Sequence, residues 1–355
     1  MISIKKLQAF LPDASTAALI TSEINARYFT RFSFTDGAVL ITKDYAYLLC
    51  DFRYIEAAQK HASPDVNVVQ FRKLFDTVND IILQKNIKTL MIEEESVTLA
   101  HLSSMRSKLN AELLTDSGLS ERIRGIRVLK TADEIADITE AQRITERALT
   151  ELLNHVRPGV TERELSVELE HLIHVCGGER IAFELITIAG ANTSLPHGVP
   201  GDYALREGDF VTFDIGAVYN GYHSDMTRTY ALGHATDRMR EIYDIVYQAH
   251  MRAAEKIVVG NTTGDVDIAA REYIEAKGYG EYFGHSTGHG VGLEIHEDPR
   301  VYKTDATVLQ DGMVITDEPG IYLPGEFGVR IEDMFAVSDS GSCSLAQLPK
   351  ELLII

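Results

Sequence analysis

Over residues 1–125, short apolar runs alternate with stretches of helical period. Residues 17–20, 37–41, 46–49 and 89–92 are apolar runs bounded by polar or turn-forming residues, and they predict strands. Residues 52–61 and 71–85 predict helices. Alternation of this kind indicates an α/β domain. Its polar clusters, Asp51 with Arg53 and the run Glu93-Glu94-Glu95, read as solvated surface or interface residues, the usual fate of such groups.

A boundary is expected near residues 124–127, giving a smaller domain over 1–126 and a larger one over 127–355. Thr131 and Glu134 then have capping-box spacing ahead of a long amphipathic helix reaching about residue 156. Arg157-Pro158-Gly159 stops that helix, and Thr161 with Glu164 caps another that ends at Gly177-Gly178. The same order returns over residues 236–280, with breaks at Gly260 and Gly278. Strand patterns follow in both halves. In each, a carboxylate lies six residues after the glycine of an acidic-Gly turn: Asp214 after Gly208, and Glu318 after Gly312. Each half supplies a second carboxylate on a returning strand, Asp225 or Glu332, and a preceding histidine, His197 or His296. We infer a pseudo-twofold duplication that aims four carboxylates at one central site.

The first pair can be placed from strand geometry. Asn220-Gly221 is a strong two-residue hairpin signal. A two-residue loop there pairs Asp214 with Thr227, and Asp225 shares the parity of Thr227. Asp214 and Asp225 then lie on one face as diagonal neighbours. Two buried carboxylates so close need a proton or a cation between them. Glu318 and Glu332 form the second pair. Their neighbours Asp317 and Asp333 should face the opposite way and be structural. His285, His289 and His296 stand among glycines, which suggests backbone crowded around a tight centre. His289 is the best ligand candidate. Four carboxylates and one imidazole suit divalent ions such as Mn²⁺, Co²⁺ or Zn²⁺. Four acids suit two ions about 3.5–4 Å apart.

Charge and composition narrow the partners. The formal net charge of −19 argues against nucleic acid and anionic membrane surfaces. Cys50, Cys176 and Cys343 are too dispersed for a thiolate metal site and fit a reducing compartment. No run approaches the roughly 18 apolar residues that span a bilayer. The N-terminal apolar stretch, broken by Gln8 and Pro12, is too short for a signal peptide. A soluble, cytoplasmic protein is expected.

These residues resemble those of the pita-bread metallopeptidases, which include methionine aminopeptidase, aminopeptidase P and prolidase. The resemblance covers 128–355 and rests on FDIG (Asp214), SDMTRT (Asp225), GHGVGLEIHE (His289), DEPGIY (Glu318) and VRIED (Glu332). Residues 1–125 resemble the N-terminal domain of aminopeptidase P, prolidase and creatinase. Methionine aminopeptidases lack that domain, so the Xaa-Pro branch is implied. The fold implied is α/β (α+β): a C-terminal pita-bread domain with duplicated helix-helix-strand halves around a curved antiparallel sheet, preceded by a creatinase-type domain.

The resemblance further implies two divalent ions per subunit, Mn²⁺ first, with Co²⁺ or Zn²⁺ as alternatives. Asp214 would chelate one ion, Asp225 and Glu332 would bridge both, and His289 and Glu318 would hold the other. A hydroxide bridging the ions would attack the carbonyl before proline, with Glu318 as proton shuttle. His197 and His296 would bind substrate or stabilise the oxyanion, and His285 would line the same pocket. Arg330 would anchor a carboxylate or hold the neighbours of Glu332, and Arg300 would take part in substrate binding. The substrates implied are Xaa-Pro dipeptides or longer peptides with proline second. The family often forms homodimers. The alternatives are a metal-free creatinase-like hydrolase and a non-catalytic peptide-binding domain of the same fold. One departure stands out: the residue before the glutamate of EPG is usually aliphatic in the family and here is Asp317. That extra acid is expected to bear on metal affinity or the pH optimum.

Overall fold

The computed structural model describes residues 1–339 and 341–355. The chain divides into two compact units, Met1–Arg127 and Val128–Ile355.

The first unit is built on a six-stranded mixed sheet in the order β4-β3-β2-β1-β5-β6. Its strands are β1 (Thr16–Ile20), β2 (Ala38–Ile41), β3 (Ala46–Cys50), β4 (Asn67–Gln70), β5 (Thr89–Ile92) and β6 (Glu112–Leu114). The helices are α1 (Ile2–Phe10), α2 (Glu23–Thr30), α3 (Ile55–His61), α4 (Leu74–Lys85), α5 (Leu99–Lys108) and α6 (Leu119–Val128). The four apolar runs of the sequence are β1, β2, β3 and β5, and β1, β2 and β3 are buried along their whole length. The edge strand β4 was not foreseen because it is only half covered and so lacks an apolar run. Glu93 corrects the expectation of a solvated acidic run. It is 1% exposed. Its carboxylate accepts from the backbone N–H of Thr21 and Ser22 and from Asn25 Nδ2. It therefore satisfies two backbone donors in the turn that leads into α2, which a solvated glutamate could not do.

The second unit repeats one arrangement twice. Helices α7 (Ala132–Leu153) and α8 (Glu162–Val175) serve the first half, and α9 (Asp237–Ala254) and α10 (Thr263–Ala276) the second. Capping boxes start α7, α8 and α10. The strands of the first half are β7 (Arg180–Ile181), β8 (Ile186–Ala189), β9 (Phe210–Ile215), β10 (Ala217–Tyr219), β11 (Tyr222–His223) and β12 (Met226–Ala231). Those of the second are β13 (Gly288–Gly290), β14 (Glu297–Val301), β15 (Val314–Asp317), β16 (Gly320–Leu323), β17 (Phe327–Arg330), β18 (Asp333–Ala336) and β19 (Cys343–Ser344). Gly208 and Gly312, the turn glycines ahead of Asp214 and Glu318, have φ of 87° and 88°. A side chain there would be strained, so both turns need glycine.

Each half packs one face of its strands on its own helices. Leu149, Leu165 and Leu169 meet Phe213 and Ile215 in the first half, and Ile242, Val246 and Ile274 meet Ile315 and Phe335 in the second. Alternation then turns Asp214 in the first half, and Thr316 and Glu318 in the second, to the other face.

Candidate metal centre

Two kinked hairpins carry the acids. In the first, β9 pairs with β12 so that Asp214 faces Thr227, and β10 pairs with β11 so that Val218 faces His223. The two ladders share one register. Asn220 and Gly221 have φ of 47° and 78°, the backbone of the tight turn that Asn-Gly favours. The ribbon breaks at Gly216 opposite Ser224-Asp225. A Cβ on Gly216 would stand 2.0 Å from the Ser224 carbonyl oxygen. Asp225 therefore sits in a gap of the ladder rather than within a strand.

The second hairpin is built alike. β15 pairs with β18 through Asp317 and Asp333, and β16 pairs with β17 through Gly320 and Arg330. Glu318 and Glu332 fall opposite each other in the break between them. Asp317 and Asp333 turn away, as alternation requires. Asp317 meets His250 of α9 at 3.1 Å, and Asp333 meets Arg228 at 2.8 Å. Burial pushes the Asp317 carboxyl up to about 6. The unusual acid of the sequence thus lies in the core behind the site and not in it.

The acids converge with one imidazole. His289 Nδ1 lies 3.0 Å from the Gly290 carbonyl oxygen, which can only accept. Nδ1 is then the donor to that carbonyl, and Nε2 is the ring atom turned toward the carboxylates. That Nε2 stands 3.4 Å from both Asp225 Oδ2 and Glu318 Oε1. Ligand atoms of Asp225, His289 and Glu332 all lie within 4.8 Å of one another. Burial, followed by neighbouring carboxylates, raises the pKa of Asp225 and of Glu332 well above the usual range. Burial also raises Glu318, against the pull of His289. Carboxylates crowded together in a buried pocket demand protons or cations between them, and three acids with an imidazole suit a divalent ion.

Asp214 is the exception within the cluster. Its Oδ2 accepts from Arg330 Nη2 at 2.5 Å. Arg330 is 4% exposed and also donates to Thr227 Oγ1, Tyr322 Oη and the Pro196 carbonyl. Its fork is committed to protein groups, with Thr227 in turn donating to Glu332 Oε2 at 2.7 Å.

Tyr322 continues the chain to His285, whose Nε2 is 2.9 Å from Tyr322 Oη. Burial lowers the His285 imidazole to about 4 and pushes the Tyr322 phenol up to about 12. The His296 ring lies 4.4 Å from that of His289, edge to face. Partial burial and then His289 hold its pKa below the usual value. His197 is exposed, and close enough for its charge to bear on both His285 and His296. Arg300 is exposed on β14, register partner of His289, with its guanidinium 4.7 Å from the Tyr302 ring centre.

Thr227, Thr316 and Tyr322 were not singled out from the sequence. Thr227 carried a signal, since the hairpin register set it opposite Asp214. Thr316 shares the parity of Glu318, and its hydroxyl donates to Glu318 Oε1 and accepts from the His289 N–H. Tyr322 becomes significant only once the hairpin returns Arg330 beside it.

Residues 136–339 match the family described as metallopeptidase family M24, and residues 4–128 match the creatinase/prolidase N-terminal domain. The chain belongs to metallopeptidase family M24. Its larger unit is the pita-bread domain of that family, and family membership implies divalent metal ions. The chain is 38% identical to an Xaa-Pro dipeptidase of Pyrococcus furiosus, over 99% of each chain. It superposes on an Xaa-Pro dipeptidase from Bacillus anthracis with a TM-score of 0.94, at 41% identity, over 100% of this chain and 99% of that one. An X-Pro aminopeptidase from Thermotoga maritima gives a TM-score of 0.90 at 33% identity, over 96% of this chain and 97% of that one. Among the described residues, no helix is long and apolar enough to cross a membrane.

Proposed function

We propose that this M24 hydrolase is a metal-dependent peptidase that cleaves the bond between an N-terminal residue and proline. The observation that carries the reading is the convergence of His289 Nε2 with the carboxylates of Asp225 and Glu318, beside Glu332. The ligands would be Asp214, Asp225, His289, Glu318 and Glu332, holding two divalent ions, with Mn²⁺ the first candidate. When bound, such ions supply Lewis acidity and lower the pKa of water toward neutrality.

The protein's own groups divide the remaining work. Glu318 would be the shuttle that takes a proton from water and gives it to the proline nitrogen. That nitrogen leaves poorly unless protonated. His296, packed against His289, and His197 are both exposed, and they would donate to the carbonyl oxygen as charge develops on it. His285, held neutral by burial, would line the same pocket with Tyr322. Arg330 fixes Asp214, and exposed Arg300 is the better candidate of the two arginines for a substrate carboxylate. The relatives' names support Xaa-Pro substrates in both dipeptidase and aminopeptidase form. The three free cysteines agree with a reducing, cytoplasmic setting.

The test is metal-stripped protein re-supplied with Mn²⁺, Co²⁺ or Zn²⁺, assayed on Ala-Pro and Ala-Pro-Pro. Activity returning with metal supports the reading, and preference for Ala-Pro assigns a dipeptidase. Full activity in stripped protein would overturn the metal-dependent mechanism.

A further inference from the structure

We propose that Glu162 is the positioning residue that holds His197 over the reaction centre; this rests on the reading of His197 as a substrate contact. Glu162 is the first residue of α8. A glutamate in the first turn of a helix is ordinarily solvated. This one has 0% exposure. It is not needed to cap the helix, because Thr161 and Glu164 already do so.

Its carboxylate is used elsewhere. Oε1 accepts from the Ala189 N–H at 2.7 Å and from Asn192 Nδ2 at 2.9 Å. Oε2 accepts from the Gly201 N–H at 2.9 Å. These donors lie on both sides of His197, so one buried carboxylate clasps the two ends of the segment that carries it. Such a group is tolerated in the interior only when donors satisfy it, and bonds to an ionised acceptor are the strong ones.

The rest of the segment is tied as well. Arg163 N–H donates to the Gly201 carbonyl at 3.0 Å, and Glu162 N–H to that of Tyr203 at 3.1 Å. Gly328 N–H donates to Thr193 Oγ1 at 2.9 Å, and Arg330 Nη1 to the Pro196 carbonyl at 3.3 Å. His197 stands exposed on a frame that is otherwise fastened.

The second half of the domain uses the same device. Asp267 of α10 is 0% exposed. It accepts from Thr287 N–H and Oγ1 and from Arg271 Nε and Nη2. Arg271 in turn donates to the carbonyls of Phe283 and His285. In both halves, a buried carboxylate on the second helix fastens a histidine-bearing segment. A histidine that strengthens its bond only as charge develops must already be in place, so loosening the frame costs rate.

The test uses the full-length, metal-loaded enzyme as wild type, Glu162→Gln, His197→Ala and the double variant. Glutamine keeps the size but turns an N–H toward donors. We expect Glu162→Gln to lower kcat/KM on Ala-Pro roughly 10- to 100-fold, with metal content unchanged. Amide exchange should quicken over residues 189–201 and not elsewhere. Glu162→Gln should cost little further in the His197→Ala background.

Losses that multiply in the double variant, or exchange that is unchanged or quickened throughout, overturn the proposal. An active wild type with a fully active His197→Ala also overturns it. A wild type without Xaa-Pro activity under any metal sinks the peptidase reading instead, and the exchange measurement then decides the clasp alone.

Discussion

Arg330 donates from Nη2 to Asp214 Oδ2 at 2.5 Å inside a nearly dry pocket. The same guanidinium reaches Thr227 and Tyr322 and thereby joins the two halves of the domain. Removing one member of a buried pair leaves an uncompensated charge, which costs about 3–5 kcal/mol. Arg330→Met should therefore lower stability to urea by about that amount and abolish measurable activity. Arg330→Lys keeps the charge but not the planar fork. It should retain more stability than the methionine variant and still lose most activity. A fully active lysine variant would show that charge alone suffices.

His289→Ala and Glu332→Gln each delete a donor atom from the cluster of three. Both variants should bind Mn²⁺ roughly 100-fold more weakly, at or beyond the upper range seen when supporting groups around a metal are lost. Metal content after dialysis, measured by elemental analysis, reads this directly. Variants that keep their full metal content would remove these residues from the ligand set.

The Asp317 carboxyl makes stability depend on pH. Burial raises its pKa from 3.8 to about 6 in the folded protein. An acid whose folded pKa is raised binds its proton more tightly when folded. Stability is then greatest below the unfolded value and declines as pH rises through about 6. The shift corresponds to about 3 kcal/mol. Asp317→Val should flatten that decline in metal-stripped protein, so that the variant gains on wild type between pH 4 and 7. A variant less stable than wild type at pH 7 would mean that the contact with His250 outweighs the burial of the acid.

Gly216 stands where the first hairpin breaks, with the Ser224 carbonyl oxygen 2.0 Å from any Cβ placed there. Gly216→Ala must push the two strands apart beside Asp225. Overpacking of this kind costs about 1–3 kcal/mol. We expect a lowered melting temperature together with weaker metal binding. An alanine variant with unchanged metal affinity would show that the break does not position Asp225.

Much of the fold was legible because local patterns carried it. Capping boxes at Thr131 and Thr161 announced helices, and Asn220-Gly221 announced a hairpin whose register brought Thr227 opposite Asp214. Those signals are short-range and need no knowledge of the rest of the chain. The role of Glu93 is not legible in the sequence for the opposite reason. Its partners Thr21, Ser22 and Asn25 are about seventy residues away in sequence, as the spacings of 72, 71 and 68 show.

The sequence by itself determined which residue types could meet at the centre, because alternation, turn residues and the internal duplication depend only on neighbours along the chain. Tertiary structure alone decided how they are used. It gave Arg330 to Asp214, turned Asp317 into the core against His250, and joined Glu162 to both ends of the segment bearing His197. The physical reason is that hydrogen bonding and burial are properties of approach in space. A carboxylate's role depends on which donors and which dielectric surround it, and those arrive from distant parts of the chain.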